Sequence, residues 1–142
     1  MQNIIAREEE YILISRDTPL ISNLNMIENI ALIKEVHERM PTVKAQELAL
    51  TILETLDIAH VARQRITNCN SVEIFYILIV RAFMMTAKTI IIQAPYSIVN
   101  NLGDIKTILS KIREIIDDKK ILIIDIITNE SHYEGCSCNI VK

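Results

Sequence analysis

Thr89-Ile90-Ile91-Ile92-Gln93 is an unbroken aliphatic run closed by a polar amide, with Lys88 before it and Pro95 shortly after. Four consecutive β-branched residues disfavour a helix, and the absence of polar alternation predicts a strand covered on both faces, as in a parallel sheet. Ile121-Leu122-Ile123-Ile124-Asp125-Ile126-Ile127 repeats the pattern and predicts a second buried strand. Between them, Asp104 to Asp118 has the spacing of an amphipathic helix. Strand, helix, strand with both faces covered defines an α/β fold with a mostly parallel core sheet.

Upstream, Ser71 to Ala87 reads as a helix apolar almost all round, which places it deep in the protein. Thr67-Asn68-Cys69-Asn70 is a polar break suited to cap it. Helices are also expected over Met26 to about Met40, ended by Pro41-Thr42, over Val43 to Leu56, and over Ile58 to Arg65. Glu10 to Ser15 reads as a short strand, and Arg16-Asp17-Thr18-Pro19 as a loop. Asn139-Ile140-Val141 reads as the start of a further strand. The stretch from about residue 20 to 70 therefore forms a helical subdomain set between core strands, within a single domain over residues 1–142.

Composition narrows the function classes. The chain has 142 residues, half of them hydrophobic, with two Gly and three Pro, so it is built from long regular elements rather than loops. A net charge of −3 without any basic stripe argues against nucleic acid as a partner. The densest apolar stretch, Ile74 to Met85, contains Arg81 and is far short of the roughly 20 residues of a membrane span, so no membrane insertion is expected. The first ten residues lack the pattern of a signal peptide, so a cytoplasmic location is expected. Three cysteines fit a reducing compartment. Cys136-Ser137-Cys138 beside His132 is a poor match to zinc-ligand spacing, so no metal site is assigned. Arg81 amid apolar neighbours is expected to pair with an acid or cap backbone carbonyls; His37 and His60 are read as solvated. Tyr11, Tyr76, Tyr96 and Tyr133 are too scattered for a stacking platform.

Four segments, in this order, resemble an ABC-transporter ATP-binding domain. Arg16 to Ile30, with Leu20-Ile21 and Glu28-Asn29-Ile30, is similar to that family's Q-loop and the start of its helical subdomain. Ile79-Val80-Arg81-Ala82-Phe83 resembles the helix after its signature motif, and Lys88 to Ser97 resembles its Walker B strand with an Asp-Glu-Pro-Thr-Ser end. Ile127-Thr128-Asn129-Glu130 is similar to its switch region. The likeness runs from about Tyr11 to the C-terminus and implies a partial P-loop NTPase fold.

The departures from that family carry the functional expectation. The position of the phosphate-sensing glutamine holds Arg16. The signature Leu-Ser-Gly-Gly-Gln falls on Cys69, Asn70, Ser71, Val72 and Glu73, with Val72 replacing a glycine that permits close backbone approach. Gln93 stands where the magnesium-holding aspartate is expected, and Ala94 where the water-activating glutamate is. Asn100 falls on the D-loop aspartate and Asn129 on the switch histidine. About ten residues of this sequence precede the first expected strand, so no Walker A loop is expected within it. Phosphoryl transfer depends on those groups for positioning and charge stabilisation.

The resemblance so read implies a degenerate, non-catalytic relative with no resident cofactor. The same reading implies a binding or scaffold role linked to a transporter, with a cytoplasmic location peripheral at the inner face of a membrane as the expectation. The alternatives are a regulator that holds nucleotide without hydrolysis, and a remnant with no role. A homodimer, or a pairing with another subunit such as a transporter's membrane component, is expected to cover aliphatic strand surface, with the strand Tyr11 to Ser15 at the contact.

Overall fold

The structure, a computed structural model, describes residues 10–114 and 118–134. Its centre is a parallel sheet of three strands, β1 (Ile12–Ile14), β2 (Thr89–Gln93) and β3 (Lys120–Ile124), in the order β1-β2-β3. Ile12 pairs with Ile90, and Ile90 in turn with Ile121. Ile90, Ile91 and Ile92 are each 0 % exposed, and successive strand residues point to opposite faces, so both faces of β2 are covered. Of the two buried strands expected from the sequence, β2 is covered on both faces, whereas β3 is only half-buried because it is an outer strand of the sheet.

Among the described residues four helices of nine residues or more accompany the sheet: α1 (Met26–Glu38), α2 (Thr42–Thr55), α3 (Ser71–Phe83) and α4 (Ile105–Arg113). Asn25 and Glu28 form a reciprocal capping box at the start of α1, with bonds of 2.8 and 2.9 Å. One turn in, the buried Asn29 is fully used: its Oδ1 accepts from the Ile21 amide at 2.7 Å, and its Nδ2 donates to the carbonyls of Ile21 and Asn25. That clasp holds the loop ahead of α1 against the helix. Asp104 caps α4, and its carboxyl is held below the ordinary range by the Thr107 hydroxyl and the Lys106 amide.

Several boundaries differ from those expected, each for a tertiary reason. The helix expected over Ile58 to Arg65 is a single 3-10 turn, Ala59–Val61. The carbonyls of Ala62 and Gln64 accept instead from the Ile27 and Met26 amides, two of the groups that open α1, so they cannot propagate a helix of their own. The helix expected to reach Ala87 stops at Phe83. Beyond it, the buried Lys119 donates its ammonium to the carbonyls of Met85 and Ala87, 5.5 Å from the centre of the Phe83 ring. Desolvation by this burial lowers the Lys119 pKa. Strand β3, expected over Ile121 to Ile127, begins at Lys120 and ends at Ile124, because the Asp125 carboxylate takes the Ile126 amide and a 3-10 segment, Ile127–Tyr133, follows. Helix α4 closes at Arg113 rather than Asp118. The strand expected at Asn139 to Val141, and Cys136 and Cys138, lie outside the described residues.

Residues 20 to 70 contain helices and turns with no strand, as the helical subdomain requires. Its core is continuous with that of the sheet: Met26, Ile30, Leu53 and Leu56 join Phe75, Ile79, Ile90 and Ile92 in one cluster.

The central position of β2 sets a hierarchy of packing. Ile91→Ala is expected to cost about 2–5 kcal/mol in urea unfolding, the range for emptying a closed core site. Leu122→Ala on the half-exposed β3 should cost less than half as much. Equal costs would place the centre of the sheet elsewhere.

Candidate functional site at the carboxyl edge of the sheet

Because the strands are parallel, their carboxyl ends share one edge, where open α/β sheets place ligands. Arg16 lies just beyond β1, Ala94 beyond β2 and Asp125 beyond β3. Ala94 adopts left-handed backbone angles, φ 49° and ψ 63°, and its amide donates to the Ile124 carbonyl at 2.7 Å. This turn launches the helical turn Pro95–Ile98, with Pro95 in the first position, where its missing amide costs nothing. The Ser97 hydroxyl returns to the Ala94 carbonyl at 2.7 Å.

Across this edge lies a cluster that sequence reasoning did not assemble. The Asp125 carboxylate accepts from the Asn129 amide at 3.0 Å and the Tyr133 hydroxyl at 2.6 Å, besides the Ile126 amide at 2.8 Å. The Tyr96 ring stacks on His132 with centroids 4.2 Å apart, and meets Tyr133 edge-on at 6.4 Å. Two of the four tyrosines that looked scattered along the chain, Tyr96 and Tyr133, therefore meet in space at one end of β2 and β3. Burial is the main influence raising the Tyr96 pKa. A sequence signal did exist for Asp125: it is a lone acid within seven otherwise aliphatic residues, at the end of a predicted strand.

The segment likened to a signature motif forms a second, separate feature. Asn70 caps α3 by accepting from the Glu73 amide at 2.8 Å, while Glu73 reaches back to the Asn70 amide at 2.8 Å. The second Glu73 oxygen lies 2.7 Å from His60 Nε2. His60, expected to be solvated, is mostly exposed and has this one acidic neighbour. Cys69 is half-buried against Arg65, and its thiol pKa is raised by burial and then by Glu73. Ser71 and Val72 sit in the first turn of α3. The helix N-terminus, whose amides attract anions, is thus already occupied by a carboxylate of its own chain.

Arg81 caps backbone carbonyls: Nη1 donates to Pro19 at 2.9 Å and Nη2 to Thr18, binding the loop after β1 to α3. Its pKa is lowered by desolvation. Arg16 and Asn100 are exposed. Of the residues singled out from the sequence, the structure gathers Gln93, Ala94 and Asn129 at the sheet edge. Cys69 to Glu73 cap α3.

The donor set at the sheet edge does not suit a hard divalent cation. Gln93 brings a neutral amide and Ala94 no side-chain donor, and both oxygens of Asp125 already accept from protein groups. Among the described residues no group of three or more His, Cys, Asp or Glu stands together as a metal site.

No protein-family model and no curated protein matches the chain. Solved structures do. A nucleotide-free ATP-binding cassette from an ABC transporter superposes with a TM-score of 0.60 and 19 % identity, over 84 % of this chain and 52 % of that one. A dimeric ATP-binding cassette in a post-hydrolysis state with ADP and Pi gives 0.61 and 20 %, over 90 % and 57 %. The chain spans about half the length of each. Its fold is that of part of an ABC ATP-binding cassette. Among the described residues no helix is long and apolar enough to cross a membrane.

The Asp125 cluster predicts local order. Asp125→Ala should lower the protection of amides 127–133 by roughly 1–3 kcal/mol in hydrogen exchange, the scale of hydrogen bonds to a charged acceptor. Unchanged exchange would mean that the aromatic stacking alone holds the segment.

Proposed function

We propose that this chain is a non-catalytic protein of ABC-ATPase fold, with a binding or scaffold role linked to a transporter. The observation that carries the reading is the Gln93-Ala94 pair at the carboxyl end of β2. The family resemblance assigns those positions to a carboxylate that holds magnesium and to a carboxylate that activates water. An amide has no charge to offer the metal, and a methyl group has no basicity to offer the water.

Two further features support it. Asn129, at the position of the switch histidine, has its amide tied to Asp125 rather than free to meet a ligand. At the start of α3, Glu73 places a negative charge where the resemblance implies a partner's nucleotide, and like charges near a helix N-terminus oppose phosphate. The transporter link rests on the fold shared with the two cassettes. Association with a further copy or another subunit belongs to the same proposal, because β3 keeps Ile121 to Ile124 only half-buried.

The test is turnover by the purified chain with magnesium and ATP. No phosphate release is expected above that of an Ala82→Asp variant, whose core is disrupted. Turnover that survives repurification and is lost in that variant would sink the proposal. Calorimetry should show no saturable ATP binding at low micromolar concentration. Micromolar binding without turnover would replace the scaffold by a regulator that holds nucleotide.

A further inference from the structure

The sheet's two outer strands are unequal. Strand β1 has three residues, with Ile12 and Ile14 buried. Every aliphatic residue of β3 is half-exposed, and Ile126 and Ile127 just beyond it are 64 % and 63 % exposed. The contact expected at Tyr11 to Ser15 therefore has its wet aliphatic surface at the other edge.

The backbone of β3 is specific about what it lacks. The Lys120 amide donates to Lys88, and the Ile124 carbonyl accepts from Ala94. With Leu122 in register with Ile91, residues 120, 122 and 124 turn their amides and carbonyls toward β2. Alternation then turns those of Ile121 and Ile123 outward. Among the described residues these four outward groups have no partner.

We propose that the outer edge of β3 pairs antiparallel with the same edge of a second copy of this chain, about a two-fold axis through Leu122. This deepens the association included in the proposed function. The edge is self-complementary in that register. Ile121 of each copy lies opposite Ile123 of the other as a hydrogen-bonded pair, so the four outward groups on each side are all satisfied. Leu122 faces Leu122 as the closer, non-hydrogen-bonded pair. One face gathers four β-branched isoleucines, the side chains that favour cross-strand pairing.

No like charges oppose each other in this register: Lys120 falls opposite Ile124, and Lys119, whose ammonium is held by the Met85 and Ala87 carbonyls, falls opposite Asp125. A two-fold axis normal to the sheet allows only registers in which a residue faces itself, and centring it on Ile123 would set Asp125 against Ile121. The stretch Lys119 to Asp125 would take part on each side, far less than the roughly 20–30 residues of a standard interface, so the association is expected to be weak and reversible.

The test uses the full chain. Sedimentation from about 1 to 100 µM should move from one chain mass to two, and Ile123→Lys should weaken association at least tenfold with unchanged circular dichroism. In a background with Cys69, Cys136 and Cys138 replaced by Ser, Leu122→Cys should form an intermolecular disulfide under mild oxidation. Its Cα atoms would lie about 4.5 Å apart, within disulfide reach, whereas Ile123→Cys should not cross-link. A monomer at 100 µM, or a dimer that ignores Ile123→Lys and gives no Leu122→Cys cross-link, overturns the inference. ATP turnover with an intact Leu122→Cys cross-link would sink the non-catalytic reading and leave this interface standing.

Discussion

Burial of β2 on both faces is the constraint on which the rest depends. Three consecutive isoleucines at zero exposure need cover from both sides and a hydrogen-bonded neighbour at each edge. Those demands draw β1 from the far end of the chain, set α3 in the core, and bring β3 alongside. They also fix the carboxyl edge at which Arg16, Ala94 and Asp125 converge, because parallel strands end together. A substitution that exposed β2 would therefore undo the candidate site and the outer strand together.

Helix α3 shows how far a buried element can be controlled from elsewhere. Its beginning is set locally, by Asn70 and Glu73. Its end is set by Lys119, more than thirty residues on, which gathers the carbonyls of Met85 and Ala87. In its last turn, Arg81 gathers the carbonyls of Thr18 and Pro19. Both cations are drawn into apolar surroundings that disfavour their charge, and backbone carbonyls compensate them instead of carboxylates. The polar interior is small and used for geometry.

Legibility in the sequence followed the range of the interactions involved. Strand β2 was readable to the residue, because Thr89 to Gln93 is a continuous apolar run between polar flanks. The starts of α1 and α3 were readable to within a residue for a similar local reason. The ends were not: the turn at Ala59–Val61 is short because its neighbours' carbonyls serve α1, and no local pattern announces that. At the candidate site, the substituted motif positions were visible from residue type alone. The Asp125, Tyr96, His132 and Tyr133 grouping was not, since it forms only when two loops from adjacent strands meet. Which outer strand keeps its side chains half-exposed was not legible either, because apolarity alone does not reveal which side of a sheet has company.

The pairing of Ile12 with Ile90 has a consequence in time as well as in space. Almost the whole helical subdomain lies between those two residues, so the first strand can join the sheet only after a long loop closes. The hairpin of α1 and α2 needs only near neighbours along the chain and can form early. Non-local parallel pairing is slow by comparison, and sheets built this way sit toward the slow end of folding rates. During that interval β2 carries its isoleucines with one edge bare, a transient species prone to capture by other unfolded chains. Anything that speeds arrival of the N-terminal strand would raise the yield of folded protein without altering its final stability.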